Sequence, residues 1–509
     1  MTSLSVVELP SALPAAVFLV PVLAGFLVLA GGRLGLRWGQ LVTLLASGAM
    51  AVMGLAIARS VWGGAVLTAW GNELRVDALS ALVVLIVSVV GFLACAYSVR
   101  YMEHATAGEG PGLVKRAHRM PLFHALVLWF LGTMAWAAVT NNIIMLWAAV
   151  EATTLSSGLL VAFFWDRRAL EAGYKYMMLL TVGITFALFG CVVVYAAAAA
   201  TGALGGGEAL LISEVRGVAW MIPSGTALIA VSMLLIGFGT KAGLAPFHPW
   251  LPDAHAEAPT PVSVLLSGVM IKVALYALAR TVSIFFPSLP AITLFAVGMG
   301  VFTMLLGVVL ALVQEDLKRL LAYSSVSQMG YILAGVGLGT YLGAYGGLFH
   351  LLNHALFKSL LFMCVGAVVY ATGTRRIGEL GGLAREMPVT SACFLVGALA
   401  IAGFPPFNGF MSKLTIYLAL ADSGLWWAVA VAVFTSVLTM VALIRPFYRV
   451  FWAVPAGAEA RGAAVREVPA FMWAPMVVLA ALCLLLGLAP GLAYGLLHHA
   501  AALLAGAGG

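Results

Sequence analysis

The sequence predicts an all-α integral membrane protein with about fourteen transmembrane helices and two inverted five-helix repeats, in which helices 7 and 12 are broken. Of its 509 residues, 63% are hydrophobic and 9% are charged, whereas about 25% are charged in soluble domains. Apolar runs of about 20 residues, the length of a helix that crosses a bilayer, recur along the whole chain. Prolines inside two of these runs predict the breaks.

The loops between the apolar runs predict how the chain lies in the membrane. Loops that follow odd-numbered spans hold 17 arginines and lysines, and the opposite loops and span ends hold 4. Basic loops stay in the cytoplasm. We therefore expect those 17 residues on the cytoplasmic side of a bacterial cytoplasmic (inner) membrane, and both termini on the outer side. The predicted spans are 13–32, 38–59, 79–99, 121–140, 142–164, 175–200, 222–250, 260–281, 289–313, 319–338, 342–371, 388–421, 424–446 and 470–498. The 17 basic residues are Arg33, Arg37, Arg100, Lys115, Arg116, Arg119, Arg167, Arg168, Lys318, Arg319, Arg375, Arg376, Arg385, Arg445, Arg449, Arg461 and Arg466.

The cysteines argue against several classes of cofactor. No CxxC pair or cysteine–histidine cluster is present, so an iron–sulfur, zinc or haem c site is not expected. No glycine-rich phosphate loop or dinucleotide fingerprint stands out. The sequence therefore predicts no cofactor and no bound metal, and the net charge of +7 gives no reason to invoke nucleic acid. The five cysteines stand alone in apolar segments, at Cys95, Cys191, Cys364, Cys393 and Cys483.

A few charged residues fall inside predicted spans. Glu151 is the one acid that lies deep in a span, and Lys241, Lys272, Lys358 and Lys413 are the lysines. A charge at the middle of a bilayer costs several kcal/mol, so such residues usually face internal cavities and mark ion paths. Glu151 is interpreted as a proton-exchanging carboxylate or the partner of a lysine. The alternative is a structural ion pair between two helices.

The segment GTKAGLAPF, residues 239–247, places Lys241 five residues before Pro246. Proline removes a backbone donor and breaks the helix, and broken helices in membranes line cavities or are buried in protein. Desolvation disfavours the charged form of a lysine, and a nearby carboxylate favours it. A lysine whose partner moves can therefore load and release a proton, with internal water at the break. The alternative is a kink that serves packing.

Span 12 repeats this pattern with the opposite order. Pro405 and Pro406 break it, and Lys413 follows the break instead of preceding it. Spans 7 and 12 are five apart and so cross the membrane in opposite directions, which is the pattern of inverted repeats with paired broken helices. The predicted units are 1–120 (spans 1–3), 121–285 (first repeat, spans 4–8), 286–450 (second repeat, spans 9–13) and 451–509 (span 14).

Three further ionisable residues share one helical face. His350, His354 and Lys358 are spaced i, i+4 and i+8, which indicates a proton relay or a satisfied structural face. Two histidines at this spacing can bind a metal, but no third ligand lies close in sequence, so metal binding is not predicted. Lys272 is interpreted as a bridge between two half-paths, with a snorkelling lysine as the alternative.

For some polar residues near these spans, the sequence is compatible with both a role in proton transfer and a structural role. His248 and His255 lie near the cytoplasmic end of span 7, where relay and structural roles are equally compatible with the sequence. The polar residues of span 10 can support a water chain or bond neighbouring helices to each other. These residues are Ser324, Ser325, Ser327 and Gln328.

Several of these segments together resemble one known family. Residues 239–280, GTKAGLAPFHPWLPDAHAEAPTPVSVLLSGVMIKVALYALAR, are similar to the signature of the antiporter-like, proton-conducting membrane subunits of complex I, group 4 hydrogenases and Mrp antiporters. HALFKSLLF (354–362) and GFPPFNGFMSK (403–413) agree with it, and the resemblance spans about residues 75–450. With WAAVEATTLSSGLLVAFF (147–164), the signature most resembles the F-type branch of the hydrogenase-4 membrane subunits.

The resemblance implies fourteen helices, two inverted repeats and specific roles. It matches Glu151 and Lys241 to the glutamate–lysine pair of the first half-channel and Lys272 to the central lysine. It matches His354 to a histidine between the halves. Lys413 matches a position that is glutamate in some members and lysine in others, so the exit chemistry stays open.

We therefore expect a proton-translocating subunit of a respiratory or hydrogenase-type complex, driven by redox chemistry in its partners. The expected partners are other membrane subunits and a peripheral cytoplasmic module, either redox or zinc-enzyme-like. One rival is a sodium–proton antiporter, and another is a gradient-consuming subunit of an inorganic-carbon uptake complex. A third is a non-conducting scaffold, which would not need the buried charges.

Overall fold

A computed structural model describes residues 7–32, 35–106, 119–287, 289–453 and 465–506. Twelve helices in these ranges are long and apolar enough to cross a membrane. They are span 1 (Leu13–Ala30), span 2 (Leu36–Val61), span 3 (Ala78–Thr106), span 4 (Met120–Val139), span 5 (Ile143–Val161), span 6 (Arg167–Ala200), span 7 (Ser224–Ala242), span 8 (Thr260–Phe285), span 9 (Pro290–Leu312), span 11 (Tyr341–Thr372), span 13 (Trp426–Trp452) and span 14 (Ala470–Leu488). Four of the predicted inside-facing basic residues, Arg33, Lys115, Arg116 and Arg461, lie outside the described residues.

Spans 10 and 12 complete the fourteen. Span 10, Leu317–Gly337, is a full-length helix whose serines and glutamine make it more polar than the others. Span 12 consists of two helices, Pro388–Ala402 and Asn408–Asp422, each shorter than the bilayer requires. Span 7 continues after its break as Trp250–Glu257. The prediction of a helical membrane bundle with breaks in helices 7 and 12 is confirmed.

The chain is not wholly helical, because one end of the bundle carries a small sheet. Strand β1 (Glu8–Pro10) pairs in parallel with β2 (Val66–Ala69), which pairs antiparallel with β3 (Leu74–Val76). Strands of three or four residues are too short to show a recognisable alternation, so the sequence did not predict them. The shorter helices are Glu208–Leu210, Ile212–Val218, Ala219–Met221, Ile377–Glu379, Pro490–Ala493 and Tyr494–Leu504.

The two ends of the bundle differ in charge. We call one end the basic face, where Arg319, Arg375 and Arg449 form ion pairs, and the opposite end the sheet face. Span 8 runs between them, and every one of its residues is buried. Buried at the centre of the bundle, spans 8 and 11 position the ionisable residues described below.

The two helix breaks have the same local geometry. Gly243 and Gly403 end the first halves of spans 7 and 12 in the left-handed conformation, with φ of 75° and 81°. In both, the next N–H donates to the carbonyl five residues back at 3.0 Å, as in helices that end on a left-handed glycine. The segments GLAPF (243–247) and GFPPF (403–407) are therefore structural equivalents.

We expect the variant Gly243→Ala to lower the free energy of unfolding by about 2 kcal/mol. A side chain in the left-handed region costs about 1–2 kcal/mol, and a Cβ on Gly243 would lie 2.6 Å from Leu251 Cδ1. Unfolding in detergent–dodecyl sulfate mixtures measures this. Gly298→Ala, inside span 9 with no atom within 4 Å of the added carbon, is the control and should not destabilise the protein. Equal stability of the two variants would contradict the prediction.

Candidate functional site

The first group of ionisable residues joins spans 5 and 7. Lys241 is 1% exposed, and its Nζ donates to Thr154 Oγ1 at 2.6 Å. Thr154 in turn donates to a carboxylate oxygen of Glu151 at 3.0 Å. A threonine hydroxyl therefore lies between the two predicted partners and can relay a proton between them. The other Glu151 oxygen accepts from Thr181 at 3.3 Å.

The break in span 7 positions Lys241 for this contact. The lysine stands in the last turn of the first half, next to the carbonyl groups that end the helix, where the helix dipole favours a cation. Trp250, which begins the second half, donates from Nε1 to the Thr240 carbonyl at 2.8 Å. This bond holds the two halves of the span together beside the lysine.

Tyr176 connects this first group to span 8, a role that the sequence alone did not indicate. Its hydroxyl lies 2.6 Å from Ser157 Oγ in span 5 and 3.2 Å from Met270 Sδ in span 8. Lys241 Nζ lies 5.8 Å from the centre of its ring. Tyr176 is buried, but it lies in a stretch of span 6 in which exposed and buried residues alternate along the helix. The local sequence pattern therefore did not identify it as a functional residue.

The central group depends on a wider helical turn. Residues Leu266–Met270 of span 8 form a π-helical segment, in which the Ile271 N–H bonds to the Leu266 carbonyl. The Ser267 carbonyl accepts from Lys272 Nζ. The side chain of Ser267 lies 2.8 Å from Ser325 Oγ in span 10.

A second lysine meets the same part of span 10. Lys358 Nζ in span 11 donates to the Leu321 carbonyl at 2.7 Å and to Ser324 Oγ at 2.5 Å. Ser325 donates to the same Leu321 carbonyl at 2.9 Å. Lys272 and Lys358 are thus linked through the hydroxyls of Ser267 and Ser325 and the backbone carbonyls of Ser267 and Leu321. This link joins the predicted first repeat to the second.

The two histidines on span 11 differ in their contacts. His350 Nδ1 lies 2.9 Å from Ser412 Oγ, and its Nε2 lies 3.0 Å from Gln328 Oε1. His354 is fully buried, and neither of its ring nitrogens has a partner in the described part of the chain. The ring centres are 6.5 Å apart. Buried polar atoms are normally satisfied by protein or by water, so the surroundings of His354 are suited to water.

Lys413 forms the last group, in the second half of span 12. It is 2% exposed, and its Nζ donates to Ser436 Oγ at 2.8 Å. Ser436 also lies 2.7 Å from the Tyr417 hydroxyl. The Tyr331 ring faces Lys413, with Nζ 4.6 Å from its centre, a distance at which the ring stabilises a cation.

Comparison with known proteins shows the family of the chain. A family profile described as "NADH:quinone oxidoreductase/Mrp antiporter, TM" matches residues 140–439. A second, described as "NADH-Ubiquinone oxidoreductase (complex I), chain 5 N-terminus", matches residues 71–108. The chain belongs to this family of antiporter-like membrane subunits.

Its relatives include subunits of several complexes. A hydrogenase-4 component F homolog of Methylacidiphilum infernorum is 35% identical over 396 residues, which cover 76% of this chain and 80% of the relative. NADH-quinone oxidoreductase subunit N of Desulforudis audaxviator is 33% identical over 465 residues, 88% of each chain. A chain in the structure of the Mrp complex from Dietzia sp. DQ12-45-1b has a TM-score of 0.84 and 26% identity, and the match covers 97% of both chains.

This antiporter-like subunit also contains a buried ion pair that the sequence analysis overlooked. Arg280, in span 8 near the sheet face, donates to both carboxylate oxygens of Asp77 at 2.5 and 2.8 Å. Ser80 and Tyr276 complete its contacts. Both charges stand at span ends in sequence, where basic and acidic residues are common, so their position alone does not reveal the pair.

Proposed function

We propose that the chain translocates protons as a membrane subunit of a multi-subunit respiratory or hydrogenase-type complex. The observation that carries this proposal is the link between Lys272 and Lys358 through Ser267, Ser325 and the Leu321 carbonyl. It joins two groups of buried cations into one axis. The residues proposed to hold protons are Glu151, Lys241, Lys272, His350, His354, Lys358 and Lys413.

The chemistry of the partners supports a proton-exchanging role. We call Lys241, Lys272, Lys358 and Lys413 the axis lysines. In the described residues, no carboxylate forms an ion pair with any of them. Their contacts are hydroxyl and carbonyl oxygens, which accept from a charged lysine without neutralising it. A buried charge without an opposite charge is costly, so each lysine readily gives up its proton to a neighbour.

The charge of the two ends supports a proposed orientation of the chain in the membrane. The basic face is proposed to lie in the cytoplasm of a bacterial inner membrane, with both termini outside, because basic loops stay inside. Protons then enter near Lys241, pass Lys272 and the histidine face of span 11, and leave near Lys413. Glu151 controls the charge of Lys241, through Thr154, by moving towards the lysine and away from it.

The driving reaction is proposed to take place in partners. Relatives and structural neighbours carry names of multi-subunit membrane complexes, which supports other membrane subunits as neighbours here, and a peripheral redox or zinc-enzyme-like module is the proposed source of energy. Purification from native membranes in mild detergent, followed by mass spectrometry, identifies that module. Iron–sulfur and nickel–iron subunits would support a redox-driven pump.

A second candidate is a cation–proton antiporter subunit that consumes the gradient. The observation in its favour is the match to a chain of the Mrp complex over 97% of both chains. A sodium-dependent pH change in vesicles that hold the purified complex, in the absence of a redox donor, would favour this candidate. The same residues would carry the proton in either case.

The variant Ser325→Ala tests the link. It removes the hydroxyl between Ser267 and the Leu321 carbonyl and leaves every charge in place. We expect proton translocation by the reconstituted complex to slow about tenfold, because one lost hydrogen bond of about 1.4 kcal/mol in the transfer step corresponds to that factor. A pH-sensitive dye inside the vesicles measures the rate.

Two further variants make this test specific. Ser325→Thr keeps the hydroxyl and should retain most of the rate. Ser327→Ala is the matched control, because Ser327 lies on the same helix and donates to the Met304 carbonyl, away from the lysines. If Ser325→Ala and Ser327→Ala pump at the same rate, protons do not pass through the Ser267–Ser325 contact.

A further inference from the structure

A charged cavity of about 920 Å³ opens at the basic face. Glu257, at the end of span 7, and Asp316, at the start of span 10, line it together with Arg375. Burial works against the charged form of Arg375, yet the charges of Asp316 and Glu257 raise its pKa above the ordinary value. Arg375 therefore stays charged and holds the two acids in place, while the acids face water in the cavity.

Lys318 is next in sequence to Arg319, which also lines this cavity. It is 4% exposed, and its Nζ donates to the carbonyl of Ala258, the residue after Glu257, at 2.8 Å. It follows Asp316 by two residues, and the charges of Arg375, Asp316 and Glu257 all act on it. A buried lysine thus contacts the chain next to Glu257, one of the acids that line the cavity.

His255 lies further inside, in the second half of span 7. It is fully buried, and neither ring nitrogen has a partner in the described ranges. The charges of Lys318, Lys358 and Lys272 all act on its ring. Two unpaired ring nitrogens in a dry interior are costly, so both nitrogens of His255 are available to exchange protons with water or a neighbouring group.

The ring of His255 is also close to the central lysines. It stacks on Phe362, with ring centres 4.8 Å apart, and Lys358 Nζ lies 5.8 Å from the centre of the same Phe362 ring. His255 and Lys358 are therefore neighbours around one aromatic ring. An imidazole accepts a proton on one nitrogen and releases one from the other, which leaves its charge unchanged after each transfer.

We propose that His255 carries protons from the cavity on the basic face to Lys358, as a second inlet that reloads the central lysines without passing Lys241. This inference rests on the proposed proton-translocating function. The acids that line the cavity collect protons. Lys318 gives a proton to His255 and then takes one from a cavity acid, and His255 passes its proton to Lys358. The sequence was compatible with a relay role or a structural role for His255. The proposed inlet assigns it the relay role.

The first test is proton translocation by the purified complex in vesicles with the variant His255→Gln. Glutamine keeps size and polarity but does not exchange protons, and we expect the rate to fall about fivefold. His124→Gln is the matched control, because His124 is also a buried histidine with one unpaired ring nitrogen, but it bonds Thr43 at 3.2 Å, away from the axis. Equal rates for the two variants would overturn the inlet.

The second test measures water access and does not depend on pumping. In the purified complex, His255→Cys should react with a small water-soluble thiosulfonate reagent faster than His124→Cys, whose sample also reports the reactivity of the five buried native cysteines. Labelling of His255→Cys at the rate of His124→Cys would overturn the inlet. If the unaltered complex moves no protons, the proposed function fails, while the labelling result still decides whether water reaches His255.

Discussion

Replacing Lys241 by alanine is expected to lower coupled proton translocation at least tenfold. Lys241 is the cation that Thr154 connects to Glu151, so its loss leaves the carboxylate without a group whose charge it can control. A transfer barrier raised by at least about 1.4 kcal/mol gives this factor. Proton uptake is measured with a pH-sensitive dye in vesicles that hold the purified complex, beside the turnover of the driving reaction.

The matched control for this variant is Lys175→Ala. Lys175 also lies in the first predicted repeat, but its side chain is 48% exposed and pairs with Glu171 on the surface. Exposed ion pairs contribute about 0–1 kcal/mol, so translocation should stay within about twofold of the unaltered rate. Unchanged pumping in Lys241→Ala would remove this lysine from the path and leave the fold assignment intact.

Replacing Asp77 by leucine is expected to cost about 3–5 kcal/mol of stability, because removal of one partner leaves Arg280 as a buried, unpaired charge. The pair is bidentate and mostly buried, with side chains 11% and 13% exposed, and it ties span 8 to the start of span 3. Unfolding in detergent–dodecyl sulfate mixtures measures the loss. We expect the yield of assembled complex to fall with it.

A double variant separates the buried charge from the loss of packing. Asp77→Leu with Arg280→Leu removes both charges, and replacing a whole buried pair by apolar residues is often close to neutral. The double variant should therefore be more stable than Asp77→Leu alone. Glu8→Ala, which breaks the exposed pair with Arg75, should cost at most about 1 kcal/mol. A double variant as unstable as the single one would show that the pair acts through packing.

Arg280 and the axis lysines differ in the groups that they contact. Arg280 has a carboxylate partner that fixes its charge, and its place near the sheet face suits a structural role. Within the described chain, the hydrogen-bond partners of the axis lysines are hydroxyl and carbonyl oxygens, and Lys241, Lys358 and Lys413 also lie near aromatic rings. Their charge is therefore free to change, as proton transfer requires.

The spans, the two breaks and the charged residues deep within the spans were predictable from the amino-acid order alone. The burial of Asp77, Arg280 and Lys318, which stand at span ends, was not. Hydropathy over about 20 residues and the missing donor of proline are local properties, so Pro246 and Pro405 marked the breaks correctly. The lysines stood out for the same reason, since a charge in an apolar run is visible without any neighbour. The short sheet was missed because its strands carry too few residues for a pattern.

The contacts between ionisable groups on different spans, in contrast, were decided by the tertiary structure. Thr154 bridges Glu151 to a lysine 87 residues further along the chain, and Asp77 meets Arg280 across 203 residues. The π-helical segment at Leu266–Met270 and the contact of Ser267 with Ser325 depend on how spans 8 and 10 pack. Such contacts leave no local periodicity in the sequence, because partners far apart in the chain are brought together by helix packing alone.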